Sequence, residues 1–171
     1  MDMEQLMGNP TTVSVSEVVK ESKAARTLVF EHPDVENIHP GQFLMVWIPG
    51  VDEIPMSVSL LNPPLMGITV LPIGEATNAL ASTQERQRIG IRGPFGTYFD
   101  SNCGSALIVG GGIGMAPLRP LTYELLDRGV DVVLLIGAKT KSELVYAKEF
   151  KTLNREGFRL ELSTVDGSVG F

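Results

Sequence analysis

Four glycines fall within five positions where an apolar segment runs into a helical pattern: Gly110, Gly111, Gly112 and Gly114. Glycine has no Cβ, so a bulky group can approach the backbone closely, and the N-terminus of a following helix offers free N–H groups to an anion. This combination favours a phosphate, or the dinucleotide that carries it. The spacing lacks the third glycine of the Gly-x-Gly-x-x-Gly pattern, so a tight strand-to-helix turn without a ligand is the alternative.

Charged residues follow the next two apolar segments, where a parallel sheet would bind a ligand. Lys139 and Lys141 follow the second of these segments, and Asp166 follows the third. In an open α/β sheet, ligands bind beyond the carboxyl ends of the strands. The lysines would favour a ribose 2′-phosphate or would simply be solvated. Asp166 would contact the ligand or form an Asp-Gly turn, and both interpretations stay open.

The first half of the chain, about residues 11–99, consists of short strand-like segments separated by proline and glycine. Segments such as GQFLMVWIPG and MGITVLPIG are rich in β-branched and aromatic residues and end at turn residues. This spacing predicts a small antiparallel barrel or sandwich. One segment, ATNALASTQER, predicts a short helix with Thr77 as its N-cap and Leu80 on its inward face.

The second half alternates strand and helix patterns. SALIVG is a nearly continuous apolar run, as expected of a buried parallel strand, and VDVVLLIGA and FRLELSTV predict two more strands. Between them lie a helix that ends at Gly129 and a second helix that begins with a Thr140/Glu143 capping box and ends at Gly157. The alternation predicts a parallel, doubly wound sheet, with the boundary between the halves near Tyr98–Cys103.

Composition excludes several classes of protein. The 171 residues carry a net charge of −6 without a basic stripe, which argues against a nucleic-acid surface. Cys103 is the one cysteine, so an internal disulfide or a multi-cysteine metal site is excluded. The N-terminus has no apolar core like that of a signal peptide, and no apolar run approaches the ~18 residues that span a bilayer. We expect a soluble, intracellular protein.

Several motifs occur in the order in which one family has them. VGGGIGMAPL resembles the nicotinamide-binding turn of the ferredoxin–NADP reductase superfamily, Gly-Gly-x-Gly-x-x-Pro-Leu. GPFG resembles the turn that ends the family's flavin-binding barrel, and HPGQFLMV resembles its Pro-Gly-Gln-Phe strand. PMSVS stands where the family has its Arg-x-Tyr-Ser flavin motif. The resemblance runs from about Thr12 to Phe171. It implies a flavin-binding antiparallel β-barrel over residues 1–99 and an incomplete parallel α/β nucleotide-binding domain over residues 100–171.

Within the superfamily, EIPMSVS, GEATNAL, IGAKTKSELVYAKEF and TVDGSVGF look most like one branch, the electron-transfer subunits of dihydroorotate dehydrogenase. This resemblance implies a cytoplasmic oxidoreductase subunit that binds FAD and NAD(H), with no catalytic acid or base of its own. It also implies a hetero-oligomer with the FMN-containing catalytic subunit of dihydroorotate dehydrogenase, in pyrimidine synthesis. A related NAD(P)H reductase subunit serving ferredoxin or sulfur, and a non-catalytic nucleotide-binding remnant, are the alternatives.

The resemblance also implies two groups of cofactor-binding residues. Those in the barrel half are Pro55, Met56, Ser57, Val58, Val70, Leu71, Pro72, Gly74, Ala76, Thr77 and Gly93. Those in the second half are Gly111, Gly112, Ile113, Gly114, Met115, Ala116, Pro117 and Asp166.

Two departures from the family pattern stand out. Ile54 takes the place of the arginine that meets the FAD pyrophosphate, and Met56 takes that of the tyrosine, which removes a charge-assisted contact. We therefore expect weaker FAD binding, anchored at the Gly74–Thr77 turn. The family also continues into a cysteine-rich tail that holds a [2Fe–2S] cluster. The chain ends at Phe171, as a fragment or as a natural short form, and Cys103 alone cannot ligate that cluster.

Overall fold

The first half of the chain closes into a barrel, as predicted. The computed structural model describes residues 8–170, and in it six antiparallel strands close in the order β1-β2-β5-β4-β3-β6. The strands are β1 (Thr11–Lys20), β2 (Arg26–Glu31), β3 (Phe43–Ile48), β4 (Asp52–Asn62), β5 (Leu65–Val70) and β6 (Arg88–Phe95). Inward side chains such as Leu28, Phe30, Leu44, Val46 and Ile68 are fully buried and fill the barrel. Closure leaves no free edge in this sheet.

The short helix α1 (Glu75–Ala81) lies between β5 and β6. Leu80 is fully buried against the barrel core, so its predicted inward orientation is confirmed. The predicted N-cap is wrong, because the helix begins after Gly74 and Thr77 is its third residue. The hydroxyl of Thr77 folds back over the turn and accepts hydrogen bonds from the N–H groups of Ile73 at 3.0 Å and Gly74 at 2.9 Å.

The second half is a three-stranded parallel sheet of order β7-β8-β9, in agreement with the predicted α/β pattern. Its strands are β7 (Ser105–Gly111), β8 (Asp131–Ala138) and β9 (Phe158–Thr164). Helix α2 (Leu118–Asp127) connects β7 to β8, and helix α3 (Ala147–Thr152) connects β8 to β9. The division at residues 99 and 100 stays a prediction, and its outer limits, residues 1 and 171, lie outside the described residues.

The apolar run of β7 is buried on one face only, which corrects the prediction of a fully buried strand. Ile108 is buried beneath the helices, whereas Leu107 is 70% exposed and Val109 59% exposed. Both exposed side chains lie on the sheet face opposite to the helices. β7 is also an edge strand here, paired only with β8 among the described residues. An apolar run alone does not tell whether its second face is covered.

The second predicted helix is interrupted. The Thr140/Glu143 capping box is present, but it caps a single 3₁₀ turn at Lys141–Glu143. Tyr146 then adopts a left-handed conformation, with φ of 60°, and α3 begins only at Ala147 and ends at Thr152, well before Gly157. The burial of the Tyr146 side chain, which is 1% exposed, explains why the chain leaves the helical path at this point.

Two further features concern membranes and metals. Within residues 8–170, no helix is both long and apolar enough to cross a membrane. In the same part of the chain, no group of three or more His, Cys, Asp or Glu side chains is placed to hold a metal ion.

The side chain of Cys103 is exposed to solvent, whereas that of His32 is buried.

Candidate functional site

A cleft of about 820 Å³ opens at the carboxyl ends of the three parallel strands. The glycine turn after β7 forms one wall, and the ends of β8 and β9 form the floor. The barrel contributes Leu71 and the loop between β1 and β2. Its lining residues are Ser22, Ala24, Ala25, Leu71, Gly111, Gly112, Ile113, Leu135, Gly137, Ala138, Lys139, Glu143, Val145, Ser163, Thr164 and Val165. The cleft thus lies between the two halves, at the edge where open α/β sheets bind ligands.

The four glycines of the turn differ in what surrounds them. A Cβ on Gly110 would lie 2.2 Å from Sδ of Met115, so this glycine lets the turn pack against the strand. Gly112 has φ of 51°, a conformation that side chains rarely adopt. A Cβ on Gly111, Gly112 or Gly114 would meet nothing within 4 Å. The space above these three is therefore open to a ligand, whereas Gly110 serves packing.

The rest of the turn points into the protein. Met115 is fully buried and Ala116 is 4% exposed, so their side chains belong to the core beneath the sheet. Pro117 caps α2, where its missing N–H would have had no partner. Any contact of Met115 or Ala116 with a nucleotide would have to come from the backbone.

Side chains of β4, the predicted flavin-binding strand, differ in whether they face the barrel core. Pro55 is exposed and Ser57 half-buried, whereas Met56 packs against the barrel core and Val58 is fully buried within it. Ile54 also packs against that core. An apolar side chain in this position offers a pyrophosphate no cation. A flavin at this strand would therefore meet Pro55 and Ser57, and the backbone of their neighbours.

The turn before α1 is the remaining candidate for holding a phosphate on the barrel. The Thr77 hydroxyl is engaged with Gly74 and Ile73, so it braces the turn and is not left over for a ligand. Gly74 is exposed, and a Cβ on it would meet nothing within 4 Å. The first-turn N–H groups of a helix have no intrahelical acceptor, and here they lie beside that open space. The turn offers backbone groups alone, and Glu75 adds a carboxylate to the same first turn.

Two predicted residues make contacts within the protein itself. Gly93 lies in β6 against Phe43 and Leu44 of the barrel wall. The Asp166 carboxylate accepts hydrogen bonds from the N–H of Ser168 at 3.0 Å and from its hydroxyl at 2.6 Å. These hydrogen bonds lower the pKa of Asp166. The geometry is that of a turn-forming aspartate, the second of the two interpretations open from the sequence.

The structure brings together four of the predicted cofactor-binding residues: Leu71, Gly111, Gly112 and Ile113 line the cleft. The other predicted residues lie outside its lining: Pro55, Met56, Ser57, Val58, Val70, Pro72, Gly74, Ala76, Thr77, Gly93, Gly114, Met115, Ala116, Pro117 and Asp166. Their part in binding a cofactor stays a prediction.

Sequence reasoning missed the loop between β1 and β2. Ser22, Ala24 and Ala25 line the cleft, and the N–H of Lys23 donates to the carbonyl of Ser142 at 2.9 Å, which ties this barrel loop to the α/β half. The only signal in the sequence is a run of small side chains between two strands. Such a run is equally typical of an ordinary hairpin loop.

Comparisons with known proteins agree with this architecture. No family model matches the chain. The chain is 37% identical over 165 residues to a protein of Methanocaldococcus jannaschii named probable dihydroorotate dehydrogenase B (NAD(+)), electron transfer subunit. It is 39% identical over 167 residues to a protein of the same name from Methanothermobacter thermautotrophicus. Each alignment covers 96% of this chain, and 60% and 61% of the two relatives.

Solved structures show the same fold. The NADH-dependent reduced ferredoxin–NADP oxidoreductase matches with a TM-score of 0.81 and 29% identity, over 96% of this chain and 60% of that one. Phthalate dioxygenase reductase matches with a TM-score of 0.80 and 16% identity, over 95% of this chain and 54% of that one.

The chain has the fold of the ferredoxin–NADP reductase superfamily. The resemblance to the dihydroorotate dehydrogenase electron-transfer subunits, stated above from the motifs, is also confirmed. The chain spans about three fifths of the length of these curated relatives, since the alignments cover 60%, 61% and 58% of them.

Proposed function

We propose that the chain is the FAD- and NAD(H)-binding part of an electron-transfer subunit of NAD-linked dihydroorotate dehydrogenase. Its electrons would pass between NAD(H) and an FMN-containing catalytic subunit. One observation carries the proposal: the open glycine turn and Leu71 of the barrel, predicted separately to bind cofactors, line one cleft. The identities of 37–41% to the named relatives support it. The cytoplasmic location stays a prediction.

The residues divide the work in the following way. Gly111, Gly112 and Gly114 leave space for the pyrophosphate of NAD(H) to approach the backbone. Leu71 provides an apolar wall from the barrel, and Ser57 on β4 can donate a hydrogen bond on the flavin side. Bound FAD supplies the exchange between two-electron and one-electron chemistry. The protein would align the nicotinamide ring with the flavin ring and exclude water. Hydride transfer between the two rings needs no acid or base from a side chain.

Two alternatives have an observation in their favour. A reductase subunit acting on ferredoxin is favoured by the match, at 29% identity, to the NADH-dependent ferredoxin–NADP oxidoreductase. A nucleotide-binding remnant without flavin is favoured by Ile54, which packs into the barrel where the family has its arginine. Assays with dihydroorotate dehydrogenase, ferredoxin and sulfur acceptors distinguish the first alternative from the proposed function. Flavin content distinguishes the second alternative from it.

The deciding experiment is a visible absorption spectrum of the purified chain, taken anaerobically after incubation with FAD, before and after NADH is added. We expect a bound-flavin band that NADH bleaches. A protein that stays colourless after FAD is added would overturn the proposal in favour of the remnant. A flavin band that NADH does not bleach would show that the cleft does not deliver a hydride.

A matched pair of variants tests the cleft itself. Gly111→Val places a side chain in the open space of the turn, and Gly104→Val places one in a loop where a Cβ likewise meets nothing within 4 Å. Neither glycine has a positive φ, so neither substitution forces a side chain into the left-handed conformation. We expect Gly111→Val to keep its flavin and to weaken NADH binding by about 10-fold or more, while Gly104→Val behaves as the wild type. Equal NADH affinity in the two variants would exclude the turn as the nucleotide site.

A further inference from the structure

A cluster of polar side chains joins the barrel to the α/β half, and several of its members line a pocket of about 330 Å³. We call it the junction cluster. Its members from the barrel are Glu21, Thr27, Ser59 and Thr69, and its members from the second half are Arg119, Tyr146 and Glu149. Thr27, Ser59, Thr69 and Tyr146 are each at most 2% exposed. These four hydroxyls are held in one arrangement, because separating them would leave buried groups without partners. The side chains of Arg119 and Glu149 are 13% and 27% exposed.

Tyr146 places its hydroxyl inside the wall of the barrel. The hydroxyl lies 2.5 Å from Oγ1 of Thr69 on β5, and the Thr69 hydroxyl donates to Oγ of Ser59 on β4 at 2.7 Å. The Tyr146 and Thr69 hydroxyls share this hydrogen bond, in which either oxygen can donate, and the Thr27 hydroxyl lies 2.8 Å from the same Thr69 oxygen. Burial raises the pKa of Tyr146 to about 12, so the hydroxyl stays protonated at neutral pH. The left-handed backbone at Tyr146 is unfavourable for a bulky residue, and these contacts hold it there.

Arg119 makes a second connection beside the first. Its Nε donates to both carboxylate oxygens of Glu149, at 3.0 and 2.9 Å, which fixes the guanidinium within the α/β half. One of its terminal nitrogens then reaches the barrel and donates to the backbone carbonyl of Ser59 at 3.2 Å. The guanidinium carbon also lies 5.1 Å from the centre of the Tyr146 ring. Arg119 therefore contacts β4, and Tyr146 contacts the neighbouring strand β5.

The positions of these residues along the chain connect the cluster to the proposed function. Ser59 directly follows Val58, and Thr69 directly precedes Val70, both of them predicted cofactor-binding positions of the barrel. Arg119 lies two residues after Pro117, which ends the predicted nucleotide turn. A shift of the turn relative to β4 and β5 would break the contacts of the junction cluster.

We propose that Tyr146 and Arg119 are positioning residues that fix the nicotinamide turn against the flavin-binding strands and so set the distance over which hydride passes. This inference rests on the proposed function. Hydride transfer needs its reacting atoms about 3–3.5 Å apart, and a misplacement of 1 Å can slow it on the order of 100-fold. Neither residue has to touch a cofactor for its loss to slow the reaction.

The test compares two tyrosine hydroxyls. Tyr146→Phe removes the hydroxyl that crosses from the second half to the barrel. Tyr123→Phe removes one that donates to Glu149 at 2.7 Å within the second half. The measurement is the rate of flavin reduction in a single turnover at saturating NADH, together with flavin content and the NADH dissociation constant. We expect Tyr146→Phe to be reduced about 10-fold or more slowly with its flavin content and NADH affinity unchanged, and Tyr123→Phe to be reduced at the wild-type rate.

A second readout needs no cofactor. Residual dipolar couplings of backbone amides report the orientation of the barrel relative to the sheet, and we expect one shared alignment in the wild type and two in Tyr146→Phe. In Arg119→Gln the side chain is too short to span from Glu149 to Ser59, so the rate of flavin reduction and the couplings should change as in Tyr146→Phe. This variant replaces Tyr146→Phe if the latter does not fold. Thr69→Ser keeps the hydroxyl, so it should leave both the rate of flavin reduction and the couplings as in the wild type.

The outcomes separate this inference from the proposed function. A wild-type chain without flavin, or with flavin that NADH does not reduce, overturns the proposed function and with it the role in hydride transfer, while the couplings still decide whether the cluster fixes the orientation. A wild-type rate in Tyr146→Phe and in Arg119→Gln overturns the positioning role even if the couplings change. A slower rate with unchanged couplings also overturns it, because the effect would then not arise from orientation.

Discussion

Replacement of Gly110 tests whether the first glycine of the turn serves packing rather than nucleotide binding. A Cβ at this position would lie 2.2 Å from Sδ of Met115 and 2.9 Å from Cδ1 of Leu118, whereas ordinary contacts lie at 3.4–4 Å. Met115 is fully buried, so its side chain has to shift within the packed core. Gly110→Ala therefore forces an overpacked core beneath the sheet.

The magnitude follows from two opposing effects. Overpacking a core by one methyl group costs about 1–3 kcal/mol, and the lower entropy of alanine in the unfolded chain returns about 0.4–1 kcal/mol. We expect the free energy of unfolding of Gly110→Ala to fall by about 1–2 kcal/mol, a factor of about 5–30 in the ratio of folded to unfolded protein. Gly111→Ala, whose Cβ would meet nothing within 4 Å, should be neutral or slightly stabilising.

Urea unfolding followed by far-ultraviolet circular dichroism measures both variants, together with Met115→Ala and the double variant Gly110→Ala/Met115→Ala. Met115→Ala alone removes a buried side chain and should cost about 2–5 kcal/mol. In the double variant the new methyl group occupies part of the space that Met115 leaves, so the loss should be smaller than the sum by about 0.5–3 kcal/mol. Additive losses, or a Gly110→Ala variant as stable as Gly111→Ala, would refute the packing role of this glycine.

Three further predictions concern the barrel. Burial raises the pKa of Glu21 above its ordinary value of 4.5, so the folded chain holds this proton more tightly than the unfolded chain, and the free energy of unfolding falls as pH rises from 4.5 through the raised pKa. Glu21→Gln should remove that fall in urea titrations between pH 4 and 7, and an unchanged slope would contradict it. Burial lowers the pKa of His32 below 6.5, so the unfolded chain takes up its proton first and stability is lost as pH falls below 6.5. His32→Gln should flatten thermal stability over that window, and a slope equal to that of the wild type would count against this reasoning. Leu80→Ala should cost about 2–5 kcal/mol in urea unfolding because Leu80 is fully buried, whereas Leu107→Ala, at a side chain that is 70% exposed, should stay within about 0.5 kcal/mol of the wild type; equal losses would contradict the assignment of the core.

The sequence was sufficient for the barrel and for the alternation of strands and helices, because these depend on local patterns. It was insufficient where a distant contact decides the local structure. The Thr140–Gly157 segment has a helical pattern throughout, yet the contact of Tyr146 with Thr69 on the barrel interrupts it. Likewise, Thr77 is a good N-cap residue by type, but the chain places Gly74 there and uses the threonine hydroxyl to brace the turn.

The motifs located the candidate site but did not tell which members face it. The glycine motif led to the cleft, yet Gly110 and Met115 within it pack against each other, and Ala116 is buried. Val58 is likewise buried in the barrel core. Orientation depends on the pairing of strands and on the packing of the turn, which residue types alone do not encode.

The wall of the barrel that faces the second half carries hydroxyl groups: Thr27, Ser59 and Thr69 lie there, with Val29 and Leu60 beside them. This composition has a consequence for biosynthesis. The barrel half leaves the ribosome before the second half, and a barrel that has already closed presents this wall to water, which can hydrogen-bond it. Because the barrel is closed, the early product exposes no free strand edge, which is a usual source of aggregation during synthesis. The second half can dock later by exchanging that water for Tyr146 and Arg119.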